Sequence, residues 1–322
     1  MNTYTTEILF QPDDTRLLFL PEGPMALAVD RFSWVAIQHA VDSVLGSLNV
    51  FDCATRTNNN YPLRGRPGFA FPTDDPQKFI VGVDKHIELV DITSGEAMVL
   101  SDDIDVGVEN TLINDAIAFD EGIVFGSKDL EFATNKAGLY FWKFSDRQLC
   151  QLRDDQLCSN GKVITRSGEN WSLLDIDTPT QQVVRYELDT NQGTLSEAEV
   201  VLDFTDGEIF PDGMVATPDG KSLIVAFYNP AAAQYGVARQ FSIETGEVQA
   251  EWQTVKAPRV TCPLLLETAR GVKLVLTTAV EDMPDEMFAQ HPNSGALFVG
   301  ETMFENISSL ANIRLEQLGV GL

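Results

Sequence analysis

Short apolar segments separated by turn residues run along nearly the whole chain. One series reads GFAFP, KFIVGV and HIELVDI before the turn TSGE, and a later one reads SLIVAFY and GVARQFSI before the turn ETGE. Segments of this length, rich in β-branched and aromatic residues and bounded by Gly, Asp or Pro, predict β-strands. Helical periodicity is found only in a short stretch at 283–289, so the pattern predicts an almost entirely β protein.

A short opening motif returns six times along these strands. Its copies read EGPMALA, RPGFAFP, NDAIAFD, NGKVITR, DGMVATP and TCPLLLE, and they begin 44 to 52 residues apart, at Glu22, Arg66, Asn114, Asn160, Asp212 and Thr261. A repeat of this length with about four strands is typical of one propeller blade. We therefore expect residues 1–322 to form a single domain, a six-bladed β-propeller. The early segment TEILF is expected to pair with the late segment GALFVG and so close the ring.

The first residues of these motifs are candidates for a common site. The first strand of each propeller blade lines the central channel, so residues at equivalent positions are expected to converge there. Glu22 and Asp212 would supply two carboxylates, and Asn114 and Asn160 two amide oxygens. Four hard oxygen ligands with a charge of minus two suit Ca²⁺ or a similar divalent ion. Asn or Asp before Gly is also common in turns, but a turn does not explain Glu22.

The remaining composition excludes several classes of protein. The chain carries 22 basic and 48 acidic residues, a formal charge of -26, which disfavours nucleic acids and anionic membranes as partners. It has no secretory signal and no apolar run of ~20 residues, so a cytoplasmic location is expected. The three histidines share no metal-binding spacing, and no serine-hydrolase elbow, P-loop or dinucleotide motif is present. The four cysteines are expected to be buried free thiols, and the oligomeric state is left open.

The opening motifs also resemble those of the senescence marker protein, gluconolactonase and regucalcin family. Its hallmarks are an early EGP, a central ND, then SNG and PDG, which here are Glu22-Gly23-Pro24, Asn114-Asp115, Ser159-Asn160-Gly161 and Pro211-Asp212-Gly213. The order and spacing of the four motifs span nearly the whole chain. The sequence departs from the family pattern at three positions, where the family often has Arg, Gly and Trp and this chain has Leu112, Ala116 and Met25.

The resemblance implies a six-bladed propeller that binds a divalent metal through Glu22, Asn160 and Asp212, with Asn114 near metal and substrate. We expect one ion, Ca²⁺ in the first place, with Zn²⁺, Mn²⁺ or Mg²⁺ as alternatives. Metal-dependent opening of a sugar lactone or related small lactone is the expected activity, with the metal as Lewis acid.

The expected roles follow from that chemistry. Asp212 orients or activates the water, and Asn114 assists catalysis by binding the substrate or the developing oxyanion. Arg66 and Asp115 complete the substrate-binding set. Two alternatives stay open at this stage: a related metal-dependent esterase or organophosphate hydrolase, and a non-catalytic calcium-binding propeller.

Overall fold

The computed structural model describes residues 1–168, 170–307 and 312–319, which contain 26 β-strands and one short α-helix. The strands form six sheets. Three sheets lie in a unit comprising Met1–Arg66 and Phe204–Leu310, and three in a unit comprising Pro67–Asp203 and Ala311–Leu322. The sheets are the blades of a six-bladed β-propeller, which confirms the predicted fold class.

The chain begins with two short strands and then forms the first four-stranded blade of the first unit. These elements are β1 (Asn2–Thr5), β2 (Glu7–Phe10), a 3₁₀ turn at Thr15–Leu17, β3 (Pro21–Ala28), β4 (Arg31–Ala36), β5 (Ser47–Asp52) and β6 (Thr57–Pro62). Strands β3 to β6 follow one another as antiparallel neighbours, as expected for apolar segments joined by short turns.

The second unit contains the next three blades in chain order. Their strands are β7 (Pro67–Pro72), β8 (Lys78–Val83), β9 (His86–Asp91), β10 (Ala97–Val99), β11 (Thr111–Phe119), β12 (Gly122–Asp129), β13 (Ala137–Lys143), β14 (Leu149–Gln156), β15 (Ser159–Ser167), β16 (Asn170–Asp177), β17 (Gln182–Asp189), β18 (Thr194–Leu195) and β19 (Glu199–Asp203). Both β18 and β19 pair with β17, so the third of these blades has a divided outer strand. Short 3₁₀ turns lie at Thr178–Thr180 and Leu315–Leu318.

The first unit is completed by two further blades. Their elements are β20 (Phe210–Ala216), β21 (Ser222–Tyr228), β22 (Tyr235–Ser242), β23 (Val248–Val255), β24 (Val260–Thr268), β25 (Gly271–Thr278), helix α1 (Asp285–Gln290) and β26 (Leu297–Glu301). Helix α1 lies where the sequence indicated a short helical stretch. Within the described ranges, no helix has the length and apolar character needed to cross a bilayer.

The N-terminal segment supplies outer strands to both of these blades. Strand β2 pairs antiparallel with β26, with Ile8 opposite Phe298, which confirms the predicted pairing of TEILF with GALFVG. Strand β1 was not predicted as a partner of β23, yet it pairs with it in parallel. The physical reason is a stacked contact between the rings of Tyr4 and Trp252, whose centroids are 5.3 Å apart. Aromatic stacking of this kind adds to the apolar area that the strand buries.

The four tryptophans belong to the core. Trp34, Trp142, Trp171 and Trp252 are all buried, and each packs among apolar strand residues rather than forming an exposed stacking surface. The four cysteines are free thiols; Cys158 and Cys262 are buried, whereas Cys53 and Cys150 are only partly covered. The prediction of buried thiols therefore holds for two of the four.

A single buried carboxylate organises the loop after β12. Asp129 accepts hydrogen bonds of 3.0 Å from the backbone N–H groups of Glu131, Ala133 and Thr134. It also pairs with the Lys136 ammonium at 3.0 Å. Burial alone would raise the pKa of Asp129, but these donors outweigh burial and hold the pKa well below its usual range.

We expect Asp129→Ala to lower the free energy of unfolding by about 2–3 kcal/mol at pH 7, because several donors lose a charged acceptor. Since the folded-state pKa is depressed, this contribution is fully present above the unfolded pKa of ~3.9 and is lost only as pH falls below it. Urea unfolding of both proteins between pH 8 and pH 4 measures the difference. A difference that shrinks already between pH 7 and pH 5 would contradict the assignment. Asp13→Ala, at an exposed position, is the control.

Candidate functional site

The opening motifs all lie at the start of the first strand of a blade. Arg66 immediately precedes β7, and the other five residues lie within the first four residues of their strands: Glu22 in β3, Asn114 in β11, Asn160 in β15, Asp212 in β20 and Thr261 in β24. These five side chains are buried although all are polar. Buried polar residues at one repeated position indicate a functional or structural demand that recurs from blade to blade.

Each first strand also carries an irregularity in its pairing at this point. The register with the second strand shifts in all six blades, and the shifts lie at Glu22/Met25, Pro67/Phe69, Ile113/Ala116, Asn160/Lys162, Pro211/Met214 and Val260/Pro263. A β-bulge interrupts the ladder locally and re-aims the side chains beside it. The repeated motif in the sequence is therefore a repeated bulge in the structure.

In the second unit the structure brings two of the predicted site residues together. The Asn114 Nδ2 group donates to Asn160 Oδ1 at 2.9 Å and to the Ser159 carbonyl at 2.8 Å. Asn160 Nδ2 in turn donates to Thr178 Oγ1 at 2.8 Å. Because a carbonyl oxygen can only accept, the Ser159 contact fixes which end of the Asn114 amide is nitrogen.

This arrangement leaves amide oxygens for a ligand. Asn114 Oδ1 accepts no hydrogen bond from any residue that the structure describes, and Asn160 Oδ1 accepts only that of Asn114. Each carbonyl oxygen has two lone pairs, so both asparagines retain acceptor capacity. Gly68 keeps the neighbouring strand close, since a Cβ there would lie 2.3 Å from the Asn114 carbonyl oxygen.

Asp115 follows Asn114 in the same bulge. Its carboxylate accepts a hydrogen bond from the Ala116 N–H at 2.7 Å. Burial raises the pKa of Asp115, and the Lys162 ammonium opposes that rise. Leu112 lies at the position where related sequences often have Arg. Its side chain is uncharged and fully buried, so this position offers no charge to a ligand.

In the first unit, Glu22 and Asp212 lie in the strands on either side of β24. The Thr261 hydroxyl donates to the carbonyl of Pro21 at 2.7 Å, directly before Glu22. On the other side, Gly213 lies so close to Cys262 that an added Cβ would be 2.6 Å from its Sγ. Both carboxylates are therefore positioned through the first strand of the intervening blade.

Near Asp212, a partly buried tyrosine and a buried arginine hold two loops in place. The Tyr228 hydroxyl donates to the Glu281 carbonyl at 3.0 Å, and the Arg259 guanidinium lies over the Tyr228 ring and donates to the same carbonyl. Burial strongly raises the pKa of Tyr228, with the Glu281 and Asp212 carboxylates adding to the rise and Arg259 opposing it. Tyr228 is thus a neutral hydrogen-bond donor at physiological pH.

The chemistry of these side chains suits a hard cation. Amide and carboxylate oxygens are the ligands that Ca²⁺ takes, and the free Asn114 Oδ1 is such an oxygen. In the described ranges, no group of three or more His, Cys, Asp or Glu side chains is placed to hold a metal. The four metal ligands expected from the sequence are two carboxylates and two asparagine amides, so they do not make up a group of that kind.

Comparison with known proteins supports the motif assignment. Residues 20–280 match the family described as the SMP-30/gluconolactonase/LRE-like region. The chain belongs to this family. The match confirms the resemblance read from the four opening motifs, and it covers the first strands of all six blades.

Curated relatives of this SMP-30/gluconolactonase member align over part of their length. A Bacillus subtilis protein, YvrE, named as a proposed sugar lactone lactonase, is 30% identical over 192 residues, which are 59% of this chain and 62% of that protein. An uncharacterized protein of Sulfolobus acidocaldarius is 31% identical over 51% of this chain and 55% of its own. The aligned region thus spans about three fifths or less of these relatives.

Solved structures share the fold over nearly the whole chain. Regucalcin of Agrobacterium tumefaciens, a calcium-binding protein, has a TM-score of 0.77 at 20% identity, over 96% of this chain and 100% of its own. A gluconolactonase of Xanthomonas campestris has a TM-score of 0.59 at 16% identity, over 89% of this chain and 88% of its own. At such identities the likeness establishes the propeller fold alone.

Several residues that support the SMP-30/gluconolactonase motifs were not predicted from the sequence. Thr178 and Lys162 contact Asn160, and Asp175 pairs with Lys162. The sequence could have indicated the pair of Lys162 and Asp175. If NGKVITR and WSLLDID are aligned as neighbouring strands, these two charged residues lie opposite each other. Opposite charges at facing positions are typical cross-strand pairs.

Proposed function

We propose that the protein is a metal-dependent lactonase that opens a sugar lactone or a related small lactone. The observation that carries the proposal is that the four family motifs, EGP, ND, SNG and PDG, each lie at a bulge near the start of the first strand of a blade, and each contains a buried polar residue. Membership of the family and the relative named for sugar lactones support this activity.

In the proposed site, Glu22, Asn114, Asn160 and Asp212 hold one divalent ion. Ca²⁺ is the first choice, because the donors are hard oxygens and a structural neighbour is described as calcium-binding. The ion would act as a Lewis acid toward the lactone carbonyl.

The residues of this chain would carry the rest of the reaction. Asp212 orients a water molecule and accepts its proton as the water oxygen attacks the carbonyl carbon. Asn114 would contact the substrate through its free Oδ1, which can accept from a substrate hydroxyl, because both N–H groups of its amide already donate to Ser159 and Asn160. The ring C–O bond then breaks, and the departing ring oxygen receives the proton, so a hydroxy acid leaves. Arg66 and Asp115 would contact the hydroxyl groups of the substrate.

The test is hydrolysis of glucono-1,5-lactone, followed by acid release in a pH-stat with the spontaneous rate subtracted. We expect turnover with Ca²⁺, Zn²⁺, Mn²⁺ or Mg²⁺ added to metal-free protein, and loss of turnover with a chelator. A phosphotriester panel is measured in parallel, because the same Lewis-acid chemistry would serve an organophosphate hydrolase. Phosphotriester turnover without lactone turnover would favour that alternative. Tight Ca²⁺ binding without any turnover would favour a non-catalytic calcium-binding propeller.

A further inference from the structure

A fully buried ion pair lies directly beside Asn160. The Lys162 ammonium is 3.1 Å from Asp175 Oδ1, and the two side chains are 0% and 1% exposed. They face each other on β15 and β16 as cross-strand partners. Asp175 is held from its other side, because its Oδ2 accepts a hydrogen bond of 2.6 Å from Gln156. The lactone reaction described above assigns no role to this pair.

The Lys162 ammonium makes its hydrogen bonds to the segment that carries Asn160. It donates to the Asn160 carbonyl at 2.6 Å and to Ser159 Oγ at 2.7 Å, while its remaining side faces Asp175. Because the side chain has no exposed surface, it cannot contact a substrate. Its hydrogen bonds to the site are therefore those to Asn160 and Ser159, beside the electrostatic effect of its charge on the Asp115 carboxylate.

The position of these contacts argues against an ordinary packing role. The strand register shifts between Asn160 and Lys162, so the backbone there is not held by a regular ladder. The ammonium donates to the Asn160 carbonyl at that same point. Buried ion pairs add little to stability compared with apolar residues of similar size, so stability alone does not account for the pair.

We propose that Lys162, neutralised by Asp175, is a positioning residue for Asn160 in the metal site. This inference rests on the metal site proposed above. Three contacts then fix Asn160: Lys162 holds its carbonyl, Thr178 accepts from its Nδ2, and Asn114 donates to its Oδ1. Because the backbone and the side-chain amide of Asn160 are both held, its Oδ1 already has a fixed direction, and the side chain needs no further ordering when an ion binds. Outer contacts of this kind orient metal ligands in many proteins.

The test is the double variant Lys162→Met/Asp175→Asn. It removes the ammonium without leaving a buried carboxylate unpaired, and the new amide still accepts from Gln156. We expect the dissociation constant for Ca²⁺, measured by calorimetry on metal-free protein, to rise about 10- to 100-fold. The melting temperature of the metal-free variant should stay near that of the wild type. Lys143→Met is the matched control, because that lysine is also buried but donates to Asn191.

The outcomes separate this inference from the proposed site. If wild-type protein binds no divalent ion, the metal site itself fails. If the wild type binds and the folded double variant binds equally well, the positioning role is overturned. If the double variant does not fold, the inference is tested instead by NMR on wild-type protein labelled with ¹⁵N-lysine, into which Ca²⁺ is titrated. The Lys162 ammonium signal is then expected to shift while that of Lys143 does not, and equal signals with and without Ca²⁺ would refute the inference.

Discussion

Replacing Asp212 by asparagine is expected to lower lactone turnover by about 100-fold or more, while metal affinity falls much less. The amide keeps the shape of the side chain and one ligating oxygen, but it carries no negative charge and cannot accept a proton from water. Turnover is measured across a metal titration, with occupancy followed in parallel. Full activity of Asp212→Asn at saturating metal would remove Asp212 from the role of base.

The matched variant is Glu22→Gln, at the position assigned to metal binding alone. Both carboxylates are buried at the start of a first strand, so the two substitutions are closely comparable. Glu22→Gln is expected to lose activity because a smaller fraction of the protein holds a metal ion. Raising the metal concentration should therefore restore part of its activity. If both variants respond to metal in the same way, their proposed division of roles is wrong.

Removal of metal is expected to lower the melting temperature by about 5 °C relative to protein with Ca²⁺ at 100 times its dissociation constant, because a ligand bound only by the folded chain adds about 2.7 kcal/mol there. Differential scanning calorimetry with chelator and with graded Ca²⁺ measures the shift. Sodium chloride at equal ionic strength is the control, since screening alone could stabilise a chain with a charge of -26. A melting temperature that does not change with Ca²⁺ would contradict the proposed site.

The propeller could be predicted because its repeat is visible in the sequence. The six opening motifs lie where the first strands begin, and the apolar segments after them became the further strands of each blade. The bulges at Asn114 and Asp212 could not be predicted, because a bulge depends on the register with a second strand. Strict alternation would have placed the residues after each bulge on the wrong face.

The immediate surroundings of the site were harder to predict than its principal residues. Asn114 and Asn160 were expected to be neighbours, and their amides are hydrogen-bonded. The Lys162–Asp175 pair is divided between two strands, so it becomes visible only once those strands are aligned. The parallel pairing of β1 depends on the contact between Tyr4 and Trp252, which no repeat indicates. Binding of one ion by all four proposed ligands, and the single domain over 1–322, stay predictions.

The pairing of the N-terminal segment has a consequence for the order of folding during synthesis. Residues 2–5 and 7–10 are made long before their partners at 250–253 and 297–299. Strands β1 and β2 must therefore wait for their partner strands, and contacts of such long sequence separation form slowly. Until then β1 and β2 lack their partner strands and are open to pairing with another chain. Dilution and chaperone capture should thus matter most in the interval when β1 and β2 have been made and β23 and β26 have not.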